Sequence, residues 1–144
     1  MTKPYGIIDV DDRQKIHFPN GLFGFENFKN YVLLDAKQQP FYWLQSTDVA
    51  EIAFVLINPQ IFRADYVLEV DEEELREIGI TSSDDILCFA IVTIPENPSK
   101  MTANLQGPII INKKTREARQ SISNNLKWKI RHPILEELMA VEKT

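Results

Sequence analysis

Catalysis needs nucleophiles, bases or metal ligands that converge, and this 144-residue chain offers few of them. Its two histidines, His17 and His132, lie far apart. Its single cysteine, Cys88, sits inside the apolar run Ile86-Leu-Cys-Phe-Ala-Ile-Val-Thr-Ile94. A strand thiol without a neighbouring histidine or helix N-terminus reads as a small core residue, not a nucleophile. His17, also on a strand, reads as a satisfied structural histidine. Asp9-Val-Asp-Asp12 clusters carboxylates, but the spacing and distal glutamate of a calcium loop are missing, so it reads as a solvated turn. Gly21-Leu-Phe-Gly24 has the letters of a KH-type G-x-x-G clamp. Such a clamp needs flanking helices and basic neighbours. Here Phe23, Phe25 and Glu26 follow a proline turn. No nucleophile elbow, phosphate loop, dinucleotide fingerprint or metal pair occurs. The expectation is therefore no enzyme, no cofactor and no metal site.

Residues suited to contact are more informative. Met101-Thr-Ala-Asn-Leu-Gln-Gly-Pro-Ile-Ile-Ile-Asn112 carries no charge, although charged residues make up 26% of the chain. Leu105 and Ile109 to Ile111 read as strand. Gly107-Pro108 turns that strand into an edge, a bulge or a corner, because proline cannot donate to a ladder. Met101, Thr102, Asn104 and Gln106 then offer a polar, uncharged face. Phe23 and Phe25, with Glu26, form a hydrophobic loop after the turn Pro19-Asn-Gly21. Phe25 is expected to plug the core, and an aromatic pair on a loop can also be a partner patch. Glu72, Glu73, Glu74 and Glu77 are either a solvated helix face or a surface for a basic partner.

The elements that must hold these residues read as mostly β. Strands are expected at Tyr5–Asp9, Lys15–Phe18, Tyr31–Asp35, Phe41–Gln45, Ile52–Ile57, Asp65–Val70, Ile86–Ile94 and Arg116–Ile122. Phe41, Tyr42 and Trp43 alternate faces, so they pack rather than form one base-stacking platform. Asp71 can cap a short helix, Glu74 can reach back to it, and Gly79 ends it. Leu126–Ile130 is either a last strand or a tail. His132-Pro133 opens a terminal helix, Ile134–Val141, whose apolar face docks on its own barrel or on a partner. One domain is expected over residues 1–144, with a core at about 5–122 and a tail and helix at 123–144. The fold expected is thus an antiparallel β-barrel-like one with a short acidic helix and a C-terminal helix.

Charge is uneven. Residues 1–100 hold 8 basic and 17 acidic side chains, and residues 101–144 hold 8 and 4. An acidic body argues against broad nucleic-acid binding. It fits a basic or neutral protein partner, or a surface that only keeps the protein dissolved. No apolar run approaches the ~20 residues of a membrane span, and Met1-Thr-Lys-Pro leads into no secretory signal. A lone cysteine suits a reducing compartment.

In order, Ile16-His-Phe-Pro-Asn-Gly-Leu-Phe-Gly-Phe-Glu26, Phe54-Val-Leu-Ile-Asn-Pro59 and Asn104-Leu-Gln-Gly-Pro-Ile-Ile-Ile-Asn112, followed by Ala118-Arg-Gln120, resemble the bacterial flagellar assembly factor family, FliW. The likeness runs from about Tyr5 to about Ile122. Phe23 departs from it, where a smaller residue or proline is expected. The resemblance implies a cytoplasmic β-barrel-like protein without catalysis. It implies two partners: newly made flagellin, and the translational regulator CsrA, a basic RNA-binding dimer that represses flagellin mRNA. No residue map comes with it. Contact residues are expected from charge and polarity instead: Glu72, Glu73 and Glu77 for the regulator, and Phe23, Phe25, Glu26, Met101, Thr102, Asn104 and Gln106 as further partner contacts. A β-domain acting directly on mRNA is the alternative, supported by the basic C-terminal part.

Overall fold

The computed structural model describes residues 11–142. The strand expected at Tyr5–Asp9 lies outside them. Seven strands follow in sheet order equal to chain order, every neighbouring pair antiparallel. They are β1 (Lys15–His17), β2 (Asn30–Asp35), β3 (Tyr42–Ser46), β4 (Ala53–Ile57), β5 (Ile86–Thr93), β6 (Thr102–Asn112) and β7 (Ala118–Gln120). A short β8 (His132–Pro133) pairs with the start of β6. A parallel bridge between His17 and Glu117 brings β1 back beside the start of β7, where the His17 amide donates to the Arg116 carbonyl at 3.0 Å. The sheet is thereby a nearly closed barrel.

Strand alternation sorts the core into layers. Ile16, Tyr31, Leu44, Leu56, Phe89, Ile109, Ile111 and Ala118 form one cluster to which all seven strands contribute, so it is the barrel interior. The opposite face of β4 to β6 carries Ile57, Ala90, Val92, Ala103 and Leu105. It is covered by Phe62, Tyr66, Trp128 and Ile134. Ile78 and Ile80, just after α1 (Glu72–Glu77), close over Ile110. Burying each such aliphatic side chain stabilises the fold by about 1.5–3 kcal/mol.

Two expected strands are corrected here, and one open alternative is decided. Asp65–Val70 is not a strand. It lies across the outer sheet face, with Tyr66 buried and Leu68 and Val70 packed below, and the Asn124 amide donates to the Glu69 carbonyl. Leu126–Ile130, expected as a last strand or a tail, is the tail: Trp128 is buried, while Leu126 is 80% exposed. Expected strand Arg116–Ile122 shortens to β7 because Arg116 sits at φ 64 and Ile122 turns outward.

The start of α1 also differs, while its end is at Gly79 as expected. Asp71 makes no side-chain cap; its carboxylate accepts from the Asn124 side chain at 3.1 Å. Glu74 turns to Arg119 rather than back to the helix start. The Gly79 amide closes the last turn on the Arg76 carbonyl. The terminal helix α2 (Ile134–Glu142) docks on its own barrel through Ile134 and Leu138. His132 fastens it, its Nδ1 donating to Glu137 while its Nε2 accepts from the Lys129 amide at 2.8 Å. Arg63 pairs with Glu137 from the covering loop. No helix among the described residues is long and apolar enough to cross a membrane.

Candidate functional site: a groove at the barrel mouth

The site starts from a loop that only its glycines permit. Gly21 lies at φ 66, and a Cβ there would stand 2.6 Å from the Glu26 backbone. Past it the Phe25 amide donates to the Leu22 carbonyl at 2.8 Å. The Glu26 carboxylate accepts from the Gly24 amide at 2.7 Å. The tip so tied leaves Phe23 50% exposed. Phe25 does not plug the core as expected: it is 37% exposed and stands edge-on to Phe54 at the barrel rim.

The facing wall is the bulge in β6. Between Phe89 and Ile91 of β5 the partner residue jumps from Ile109 to Asn104. The slack is taken up by Asn104, whose Oδ1 accepts from the Gln106 and Gly107 amides at 3.0 and 2.8 Å. A Cβ on Gly107 would meet the side-chain nitrogens of both Asn104 and Gln120 at 3.1 Å, so the missing side chain lets the two amides converge. Gln120 joins the walls: its Nε2 donates to the Gly107 carbonyl and its Oε1 accepts from the Phe23 amide, each at 3.0 Å.

Between loop and bulge opens a groove of about 630 Å³ that continues the barrel interior outward. Leu22, Phe54 and Ile91 make its apolar floor, Thr102 and Asn104 its polar wall, and Phe23 and Ile130 its apolar rim. Its charged lining residues are Lys100 and Arg131, and no carboxylate lines it.

Groups with shifted protonation lie elsewhere. Burial pushes the Cys88 thiol up to about 12, in keeping with a core residue. Burial, then the Asp48 charge, raises the Tyr31 hydroxyl to about 12. The Arg63 guanidinium, then Lys127, holds the Asp65 carboxyl far below the usual range. His17 meets Glu117 at 2.8 Å on the barrel seam and His132 fastens α2, so neither reaches the groove. No group of metal-ligating side chains gathers among the described residues.

Of the expected contact residues, the groove collects Phe23, Thr102 and Asn104. Glu26 is spent on the loop backbone. Met101 packs against the outer core on the other face, because it neighbours Thr102 and must point the opposite way. Gln106 sits in the bulge, half-buried. Glu72, Glu73 and Glu77 lie on another face. Glu77 and Glu74 both pair with Arg119, which points away from its strand neighbour Gln120. Glu72 and Glu73 stay exposed. Sequence reasoning missed Gln120, Lys100 and Arg131 as groove residues. Gln120 had a signal in Ala118-Arg-Gln120; the two cations had none.

These features define a small, nearly closed antiparallel β-barrel-like fold with a groove at one mouth and an acidic helix on another face. The family model described as FliW protein matches residues 1–134. Flagellar assembly factor FliW of Treponema denticola is 48% identical over 139 residues, covering 96% of this chain and 95% of that protein. The Leptospira biflexa protein of the same name is 47% identical over 146 residues, covering 99% and 95%. A crystal structure of the flagellar assembly factor FliW superposes with a TM-score of 0.86 at 34% identity, covering 92% of this chain and 94% of that one. The chain belongs to the FliW family of flagellar assembly factors.

Proposed function

We propose that this protein acts in the cytoplasm by binding alone, as a switch between two protein partners. Flagellin is held at the groove, as by a chaperone, until export. The translational regulator CsrA is captured at the acidic helix, which lifts its repression of flagellin mRNA. Whichever partner is in excess sets the free pool, by mass action.

The observation that carries this reading is the division of the surface. An apolar groove rimmed by half-exposed Phe23 lies at the barrel mouth. The exposed carboxylates of Glu72 and Glu73 lie on a separate face, suited to a basic dimer. The test is calorimetric titration with each purified partner. Glu72→Lys with Glu73→Lys should weaken CsrA binding and flatten its salt dependence while leaving flagellin binding intact. Phe23→Ala should do the reverse. If the double charge reversal and Phe23→Ala each affected both partners alike, the assignment of separate surfaces would be wrong. Retention of bulk RNA by the protein alone, falling with salt, would instead favour direct action on mRNA.

A further inference from the structure

Resting on the reading of the groove as the flagellin site, we propose that its occupant is an amphipathic helix bearing carboxylate side chains one to two turns apart, held by Lys100 and Arg131. The chain is acidic overall, at −5, yet the groove carries charge of the opposite sign only. Neither Lys100 nor Arg131 makes an ion pair among the described residues, unlike Arg63 and Arg119, which are engaged within the fold. Both cations are exposed. Local charge therefore selects carboxylates at a site whose floor selects apolar side chains.

The backbone of the occupant follows from the sheet. An extended segment could add to the barrel only at a free strand edge. Beside the groove both edges of β6 are taken: Thr102 and Ala103 pair with Thr93 and Val92 on one side and with Pro133 and His132 on the other. The occupant must satisfy its own backbone, which a helix does. Spacing follows from register. Ala103 faces His132, so Arg131 lies level with Asn104, and Lys100 lies four residues further along. At ~3.3 Å per residue that is at most about 13 Å. Carboxylates at i and i+4, or at i and i+7, stand ~6 or ~10.5 Å apart along a helix, within reach of two long cationic side chains. Phe23 and Ile130, 50% and 58% exposed, supply apolar contact at the same groove.

The test titrates purified monomeric flagellin into the wild-type protein, into Phe23→Ala, and into Lys100→Glu with Arg131→Glu, at low and high salt. The double reversal should weaken binding about tenfold or more, and high salt should weaken the wild type. Acid-to-lysine changes at one suitably spaced pair in a flagellin helix should restore binding to the reversed variant. If Phe23→Ala weakens binding while the double reversal and salt do not, the groove holds flagellin without carboxylates; this proposal fails and the flagellin reading stands. If wild-type protein ignores flagellin, both fall. If the double reversal abolishes only retention of bulk RNA, the occupant is a nucleic acid and the proposal is overturned.

Discussion

Gln120→Met isolates the tie between the aromatic loop and the β6 bulge. Methionine fills nearly the same volume, so the change removes hydrogen bonds rather than packing. Gln120 is 6% exposed and serves two partners that do not otherwise meet, the Phe23 amide and the Gly107 carbonyl. Gly107 is buried, so its carbonyl loses a donor that water does not easily replace, at about 1–3 kcal/mol. The Phe23 amide lies at the groove mouth, where water can substitute, and its loss costs nearer 0.5–1 kcal/mol, on the order of one exchanged hydrogen bond. Together the loss should be about 1.5–4 kcal/mol, read as a lower urea midpoint at unchanged slope. Gln120→Glu discriminates further. A carboxylate still accepts from the Phe23 amide but sets oxygen against the Gly107 carbonyl oxygen. That carboxyl is favoured protonated in the fold, so its pKa rises on folding. The deficit relative to wild type should be greatest at neutral pH, begin to shrink as pH falls through the raised value of the folded carboxyl, and be smallest below the ordinary carboxyl value near ~4, where an O–H donates. In Gln120→Met the Phe23 amide should exchange with solvent faster than in wild type, ahead of the core strands. A Gln120→Met midpoint equal to wild type, with the Phe23 amide equally protected, would show that the loop is held by something else.

Two further outcomes follow from the same geometry. Gly21→Ala should destabilise by about 1–3 kcal/mol more than Gly24→Ala: both positions have positive φ, 66 and 84, which strains any side chain, but only at Gly21 does the Cβ also meet the Glu26 backbone at 2.6 Å, and thermal midpoints should rank the two. Asp65 is held ionised by Arg63 and Lys127, so its stabilisation is present above the ordinary aspartate range and lost as pH falls below ~4. Asp65→Asn should therefore lose stability at neutral pH and show a shallower fall on acidification, by urea midpoints at the two pH values; the side chain is 48% exposed, so solvent limits the size of the effect.

The strands that were legible are those where a run of apolar, β-branched residues coincides with a ladder. Tyr31 to Asp35 and Ile86 to Thr93 have apolar side chains on both faces, β-branched residues and turn chemistry at their ends, and both form strands of the barrel. Asp65–Val70 alternates as a one-faced strand would, Tyr66, Leu68 and Val70 pointing one way, but it lies flat over a finished sheet. A cover and a strand bury the same side chains; they differ in ladder partners, which one segment's residues do not disclose. Leu126, Trp128 and Ile130 share parity, yet only Trp128 is buried, because the tail crosses the outer core at a single point. Period two did hold at the site: Thr102 and Asn104 share the groove, and Met101, adjacent to Thr102, cannot join them.

The sign of the groove was the least legible feature, and the reason is physical. Net charge sums over the chain, whereas a partner at a surface responds to charge within about 10 Å at physiological salt. Lys100 and Arg131 are brought to one mouth by the pairing of β8 with β6, a long-range contact. Reading the −5 total as a uniformly acidic surface would assign every partner to the same attraction. The fold instead separates exposed carboxylates at the start of α1 from exposed cations at the barrel mouth, and consecutive residues Arg119 and Gln120 support one surface each. If the two proposed partners bind these two surfaces, local charge alone tells a basic one from an acidic one.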